Sequence, residues 1–249
     1  MIGAVIRVLA LVLALASVPC AAQAPAPATR PFDCLIEPSL DVKLGSPVEG
    51  VIADILVDRG AAVRKGQALV RLNSQMEAAA VESARGRAEF ARRKAERNEE
   101  LYKQQLISVQ ERDQLDTEAK IAELEMRERE TALRLRTVVS PIDGVVVDRV
   151  MSPGDQVSRG SSHILRLMRL DPLHVEVVAP ASLFGVVKVG AAARVVAEGA
   201  GQKPHAARVS VIDRVIDAGS GTFRLRLELR NPGYAIPAGL RCRVEGLGG

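Results

Sequence analysis

The chain has 249 residues, with 34 basic and 30 acidic side chains, 2% aromatic residues and no Trp. Charges of both signs are interleaved and stacking rings are almost missing, which excludes a nucleic-acid binder. With 47% hydrophobic residues the chain can bury sizeable cores, and these must be aliphatic, built from Val, Leu, Ile and Ala.

Residues 1–22 hold one charge, Arg7, then an apolar run from Val8 to Val18 and small residues ending at Cys20-Ala21-Ala22 before Gln23. This predicts a cleaved signal peptide and an exported chain. The run is well short of the ~20 residues that span a bilayer. Two alternatives stay open, an uncleaved anchor and acylation at Cys20, for which Ser17-Val18-Pro19 is a poor lead-in. Loss of Arg7 lowers the formal charge from +4 to +3. Residues 23–31, rich in Ala and Pro, read as a flexible tether.

Cleavage leaves two cysteines, Cys34 and Cys242, near opposite ends of the exported chain. In an oxidising compartment two leftover thiols commonly pair. A bridge would make the first and last strands neighbours; the alternative is two separate buried thiols. Residues 32–39 are accordingly expected to add an N-terminal strand to a barrel formed by the C-terminal part.

A short motif then occurs twice. Ser46-Pro47-Val48-Glu49-Gly50-Val51 returns as Ser140-Pro141-Ile142-Asp143-Gly144-Val145, and Asp54, Gly60, Val63 and Gly66 return as Asp148, Gly154, Val157 and Gly160. At this offset of 94, 8 of the 21 positions from 46 to 66 are identical. A repeat outranks local propensity as evidence about a fold. Residues 40–73 and 138–168, β-branched and punctuated by Gly, read as two halves of one small β-sandwich. The twofold pattern resembles the biotinyl/lipoyl domain, but no Met-Lys-Met carrier motif is present, so no cofactor is expected.

The insert, residues 74–137, has no Pro, one Gly and many Ala, Glu, Arg and Leu, and is predicted helical. Ser74-Gln75-Met76-Glu77 and Ser108-Val109-Gln110-Glu111 read as capping boxes, giving helices over 75–104 and 109–136 with a tight turn at 105–107. Small or apolar residues at 81, 84, 88, 91 and 95, and at 115, 119, 122, 126 and 133, form a heptad seam. Antiparallel pairing of Val81 with Leu133, Ala88 with Met126, Ala91 with Ala122 and Ala95 with Ala119 keeps the position sum at 213 or 214. Asn98 and Arg129 are the polar interruptions expected to fix alignment. The arm should project roughly 45 Å. Arg92-Arg93 and Arg127/Arg129 sit among glutamates and read as a solvated, salt-bridged surface or as lateral contacts between copies.

Over residues 169–249 short strands return, at His174–Val178, Ala193–Val196, Ala206–Val215, Thr222–Leu229 and Arg241–Glu245, with one helical turn over Ala181–Val187. The spacing predicts a small antiparallel β-barrel. His163, His174 and His205 lack a neighbouring nucleophile motif, and no Gly-rich phosphate loop occurs, so no enzyme is expected. Methionines 1, 76, 126, 151 and 168 are scattered, so no metal site is expected. The fold class is thus mixed: a split lipoyl-like β-sandwich interrupted by an antiparallel coiled-coil hairpin, then a β-barrel.

With its leader, paired Ser-Pro-x-(Glu/Asp)-Gly halves, helical insert and the barrel stretch Asp217-Ala218-Gly219-Ser220-Gly221-Thr222-Phe223 through Asn231-Pro232 to Pro237-Ala238-Gly239-Leu240, the chain resembles the periplasmic adaptor, or membrane fusion, family of bacterial tripartite efflux pumps. Arg97, Leu101 and Ser108 match the hairpin-tip spacing of adaptors of the resistance-nodulation-division pumps. The resemblance implies a non-enzymatic periplasmic adaptor, peripheral to the inner membrane, that assembles as trimers to hexamers. It implies two partners, an inner-membrane transporter, for which the tip spacing favours a proton-driven one and an ATP-driven exporter is the alternative, and an outer-membrane channel met by Arg97, Leu101 and Ser108. Ordinary cap, seam and surface roles for these three residues are the competing expectation. So is a standalone periplasmic scaffold for the whole chain. Departing from the family pattern, no membrane-proximal domain is evident before Gly249, which leaves the grip on the transporter open.

Overall fold

The computed structural model describes residues 32–160, 163–199 and 203–247; the leader and tether assigned to 1–31 lie outside the described residues. In chain order the elements are β1 Phe32–Gly45, β2 Gly50–Ile55, β3 Ala62–Val63, β4 Ala68–Leu72, α1 Gln75–Lys103, α2 Val109–Arg134, β5 Thr137–Val139, β6 Gly144–Arg149, β7 Gln156–Val157 and β8 His163–Pro180. Then follow β9 Ala192–Ala197, β10 Pro204–Ile212, β11 Thr222–Leu229 and β12 Arg241–Glu245.

Alternation of aliphatic and charged residues in the last third builds a closed barrel. Its strand order is β1-β12-β9-β10-β11-β8, and β8 pairs back with β1, so all six neighbours are antiparallel. Inward residues such as Ile36, Val175, Val195, Val209, Leu227 and Val244 fill it almost without exposure. Closure removes the sheet edges that an open sheet would leave unpaired. The strand expected at Ala206–Val215 ends early, at Ile212. A register shift between Val209 and Val211 and a last ladder bond from Asp213 N–H to Arg224 O turn the chain out, leaving Val215 79% exposed.

The repeat appears in the hydrogen bonds themselves. Gly50 pairs with Val157 and Val51 with Gln156; 94 residues on, Gly144 pairs with Val63 and Val145 with Ala62. Gly60 N–H donates to Val146 O as Gly154 N–H donates to Ile52 O, each at 2.8 Å. Both halves break ladder at the same place, between Ile52 and Asp54 and between Val146 and Asp148. Ser46 and Ser140, both buried, each close a turn onto the residue two further on. Each half therefore lends a strand to the other, around a core of Ile52, Val63, Leu69, Val146, Val157, Ile164 and Leu167. β1 and β8 each enter both cores, and their pairing register shifts between Pro38 and Leu40, beside the expected boundaries at 39/40 and 168/169.

The insert folds into the helical hairpin. Val81, Ala84, Ala88, Ala95 and Leu115 are buried along the seam, and Ala91, Ala119, Ala122, Met126 and Leu133 are half-buried. Two expectations need correction. Ser74 makes no side-chain cap; Asn73 Oδ1 accepts from Gln75 N–H at 3.3 Å instead, and Glu77 is drawn away to the Arg136 guanidinium at 2.5 Å. Asn98 does not fix alignment, because its amide donates to Lys94 O of its own helix. Register is held across the helices by Arg85–Glu130 at 3.3 Å and Lys94–Glu118 at 3.2 Å.

Candidate functional site: the hairpin tip and its root

The tip is formed by a helix ending on a residue that is not glycine. Leu106 N–H donates to Leu101 O at 3.0 Å and Gln105 N–H to Tyr102 O at 2.8 Å, the paired bonds of a Schellman ending. Gln105 takes φ 61°, a left-handed conformation that glycine normally fills there. The chain then enters α2 through Ser108, whose hydroxyl accepts Glu111 N–H at 3.1 Å. One hydroxyl lone pair remains for a second bond.

Arg97 and Leu101, four residues apart, share one outward flank of α1 and are exposed, Leu101 at 37%. Ser108, exposed, stands across the turn at the start of α2. The sequence reading missed that Leu106 and Val109 are also exposed, at 65% and 51%. With Leu101 they give the arm a blunt apolar end, and their signal was one aliphatic residue inside the predicted turn and one just after it. Behind them the Arg112 guanidinium stacks on the Tyr102 ring, 4.4 Å from its centroid, and bonds Asp113, which holds its pKa above the usual value. This clamp ties the two helix ends together next to the turn.

At the other end, Arg136 donates from Nη1 to Glu49 O at 2.8 Å and from Nη2 to Glu77 Oε1 at 2.5 Å. It joins the exit of α2 to the entrance of α1 and to the repeated turn of the sandwich. A side chain at Gly50 would meet Arg136 Nη1 at 2.8 Å, so glycine there makes room for the clamp. The arm is thus fixed at its root and presents its tip.

Away from the hairpin, Cys34 and Cys242 are partners in the β1–β12 register, with Cα atoms 4.8 Å apart and sulfur atoms 2.04 Å apart. Asp217 accepts from Gly219 N–H, Ser220 N–H and Ser220 Oγ, and these bonds hold its pKa below the usual value. That accounts for the Asp217–Thr222 stretch as a structured barrel turn. Among the described residues no group of three or more His, Cys, Asp or Glu is placed to hold a metal ion. Among them, too, no helix is long and apolar enough to cross a membrane.

The family model for the CzcB-like, barrel-sandwich hybrid domain matches residues 41–167. The antibiotic efflux pump periplasmic linker protein ArpA of Pseudomonas putida is 26% identical over 207 residues, 78% of this chain and 56% of that protein. The chain therefore spans just over half the length of this relative. Among solved structures, a MacA–MexA chimeric protein containing the Pseudomonas aeruginosa MexA α-hairpin domain matches with a TM-score of 0.75 at 20% identity, over 88% of this chain and 81% of that one. A putative efflux transporter from Bacteroides eggerthii matches with a TM-score of 0.72 at 20% identity, over 86% and 67%. With the barrel, sandwich and hairpin described above, these matches show that the chain belongs to the periplasmic adaptor, or membrane fusion protein, family, carrying its CzcB-like barrel-sandwich hybrid domain.

Proposed function

We propose that the protein is the non-enzymatic adaptor of a tripartite efflux pump, joining an inner-membrane transporter to an outer-membrane channel through the hairpin tip. The observation that carries this reading is the tip itself: Leu101, Leu106 and Val109 exposed at the end of a long, root-clamped arm whose own packing does not need them. Leu101 acts as the apolar anchor, and Arg97 and the free lone pair of Ser108 supply hydrogen bonds to the channel's periplasmic end. The sandwich is a split lipoyl-like domain that has given up carrier chemistry for its insert. The chain is exported by a cleaved leader, works in the periplasm beside the inner membrane in several copies, and is bridged between Cys34 and Cys242. The Arg97, Leu101, Ser108 spacing favours a proton-driven transporter.

Site-specific photo-crosslinking in cells from position 101, with mass spectrometry of the products, tests the reading. Capture of an outer-membrane channel, lost in Arg97→Glu, is the expected result. Capture of soluble proteins alone, from folded and exported protein, would overturn the docking role and leave a standalone scaffold.

A further inference from the structure

Exposed large apolar side chains on the barrel gather at one end. Of the nine on residues 32–38 and 169–247, seven stand at the end away from the sandwich; the others are Leu35, halfway down the wall, and Tyr234, at the sandwich end. The far end holds the start of β1, the β8–β9 connection at 181–191, the β10–β11 connection at 213–221 and the exit of β12. Phe184, Val186 and Val189 are exposed on the first connection, Val186 at 55% and Val189 at 65%, and Val215 and Ile216 on the second. Val178, two residues or about 7 Å below the rim at Pro180, and Val211, beyond the last β9–β10 pair, carry the band onto the wall. Below it the wall turns to the charged rows of Glu37, His174, Glu176 and Arg226.

Ordered turns hold this rim in place. Ala181 N–H donates to Gly221 O at 2.9 Å, which ties the two connections together, and Gly190 N–H donates to Val209 O at 2.7 Å. Phe184 packs edge-on against Phe223 with ring centroids 5.4 Å apart, and Val187 is buried in the barrel core. A fixed apolar band that the chain itself leaves uncovered marks a contact surface.

Its charge says what kind of surface it meets. Lys188 stands between Val187 and Val189, and Arg214 precedes Val215-Ile216. Both are exposed, and neither has an ion-pair partner among the described residues. The acids of this end are engaged elsewhere. Asp217 is spent on its own turn, Glu245 faces Arg194 at 3.8 Å, Asp33 stands opposite Arg243 in the ladder, and Asp213 lines a cleft with Arg224.

We infer that this rim rests in the interfacial layer of an anionic lipid bilayer, with Val186, Val189, Val215 and Ile216 below the headgroups and Lys188 and Arg214 at the level of the phosphates. Apolar tips flanked by unpaired basic residues combine the two attractions that hold interfacial anchors, and such anchors sink about 5–10 Å, the height of this band. The chain also enters the barrel at this end, through Phe32, soon after the leader proposed for residues 1–22. The inference rests on the reading that sets the barrel beside the inner membrane, and deepens it by naming lipid as what the rim touches.

The test is flotation of the purified full chain with protein-free vesicles of phosphatidylethanolamine and phosphatidylglycerol. The folded chain is expected to float with them and to stay behind with phosphatidylcholine alone. Lys188→Gln and Arg214→Gln should each lower partition about fivefold, and a Val186→Ser, Val189→Ser double variant several-fold, while Tyr234→Ser changes nothing. Urea midpoints check that each variant is folded. Since the chain has no Trp, Val189→Trp and Tyr234→Trp report depth, and brominated acyl chains should quench the first and not the second. No flotation of folded protein overturns the inference, as does equal quenching at 189 and 234 or partition indifferent to Lys188 and Arg214. Capture of the rim by a membrane protein in cells, without flotation, gives the surface to a protein partner and overturns it too. Flotation that persists when the position-101 experiment fails would remove the channel contact and leave the lipid contact standing.

Discussion

Single residues hold this molecule together where its two cores join, and Asn231 is the clearest case. It is fully buried. Its side-chain amide donates to Leu170 O and Ile236 O, its Oδ1 accepts Ile236 N–H, and its own N–H donates to Asp171 Oδ1, all at 2.9 Å. One side chain thereby satisfies three backbone groups on two segments that have no ladder between them. Asn231→Ala orphans those three groups at once and should cost about 2–4 kcal/mol, each buried unpaired group contributing about 1–3 kcal/mol less what water recovers. A urea titration checks it, and a loss under about 1 kcal/mol would mean that water replaces the amide. Neighbouring residues illustrate what could be read beforehand. Asn231-Pro232 was visible as a motif, but two of those four hydrogen bonds reach Leu170 and Asp171, 61 and 60 residues back in the chain, and spacing carries no information about them. Ser108 was legible as a cap because a cap is local. Ser74 satisfied the same local pattern but makes no cap: Asn73 Oδ1 takes Gln75 N–H instead, and the Glu77 carboxylate pairs with Arg136, distant in sequence.

At the scale of elements, the strand ribbon β1–β8–β11 places charged residues in rows on the barrel's outer face. His174 on β8 stands between Glu37 on β1 and Glu228 on β11, with Glu176 and Arg226 beside it. Burial and then the Arg226 charge push its pKa below the ordinary 6.5, outweighing the three glutamates. A His depressed in the folded state binds fewer protons there than in the unfolded chain, so its contribution is present above pH 6.5 and lost as pH falls below that value. Further along the ribbon, the Arg166 hydrogen bonds hold Asp41 below its ordinary 3.8. That contribution persists to lower pH and disappears only as pH drops through the acid range below 3.8. Stability should therefore fall in two separated steps on acidification. In His174→Gln the step beginning at pH 6.5 should vanish while the lower one remains. Denaturant midpoints from neutral pH down to about pH 2 measure both, and an unchanged upper step in the variant would assign it to another group. Helix register shows the same division between what a sequence reveals and what it does not. The seam was legible because heptad periodicity is a one-dimensional pattern, but the charged side chains that pair across the helices are Arg85 with Glu130 and Lys94 with Glu118, not Asn98 and Arg129.

For the whole molecule, order along the chain and order in space diverge most at the barrel. Repeat, insert and closing strands were legible because each has a periodicity or an offset of its own. That β1 and β8 pass from one core into the other was not, since the crossing is a shift of pairing register between Pro38 and Leu40, set by which residues oppose each other and not by any local pattern. The same two strands are what connect barrel and sandwich, and β1 is also where the barrel closes. Its ladder to β12 is short, Phe32 to Leu35 against Val244 to Arg241, and Cys34 and Cys242 face each other in the middle of it. With a sequence separation of 208 residues, a bridge there constrains nearly the whole described chain in the unfolded state. Chain entropy sets its contribution at about 5 kcal/mol at most, and about 2–5 kcal/mol is typical for removing a native bridge. Replacing both cysteines by serine, or reducing the exported protein, should lower stability by that amount. The loss should also be uneven. Amides of β1, β9 and β12 next to the closure should exchange with solvent much sooner, while those of β2, β4 and β6 around the sandwich core keep their protection, because none of their ladder partners belongs to the closing strands β12 or β9. Equal loss of protection in both regions would instead mean that barrel and sandwich unfold as one unit through the shared β1–β8 ribbon.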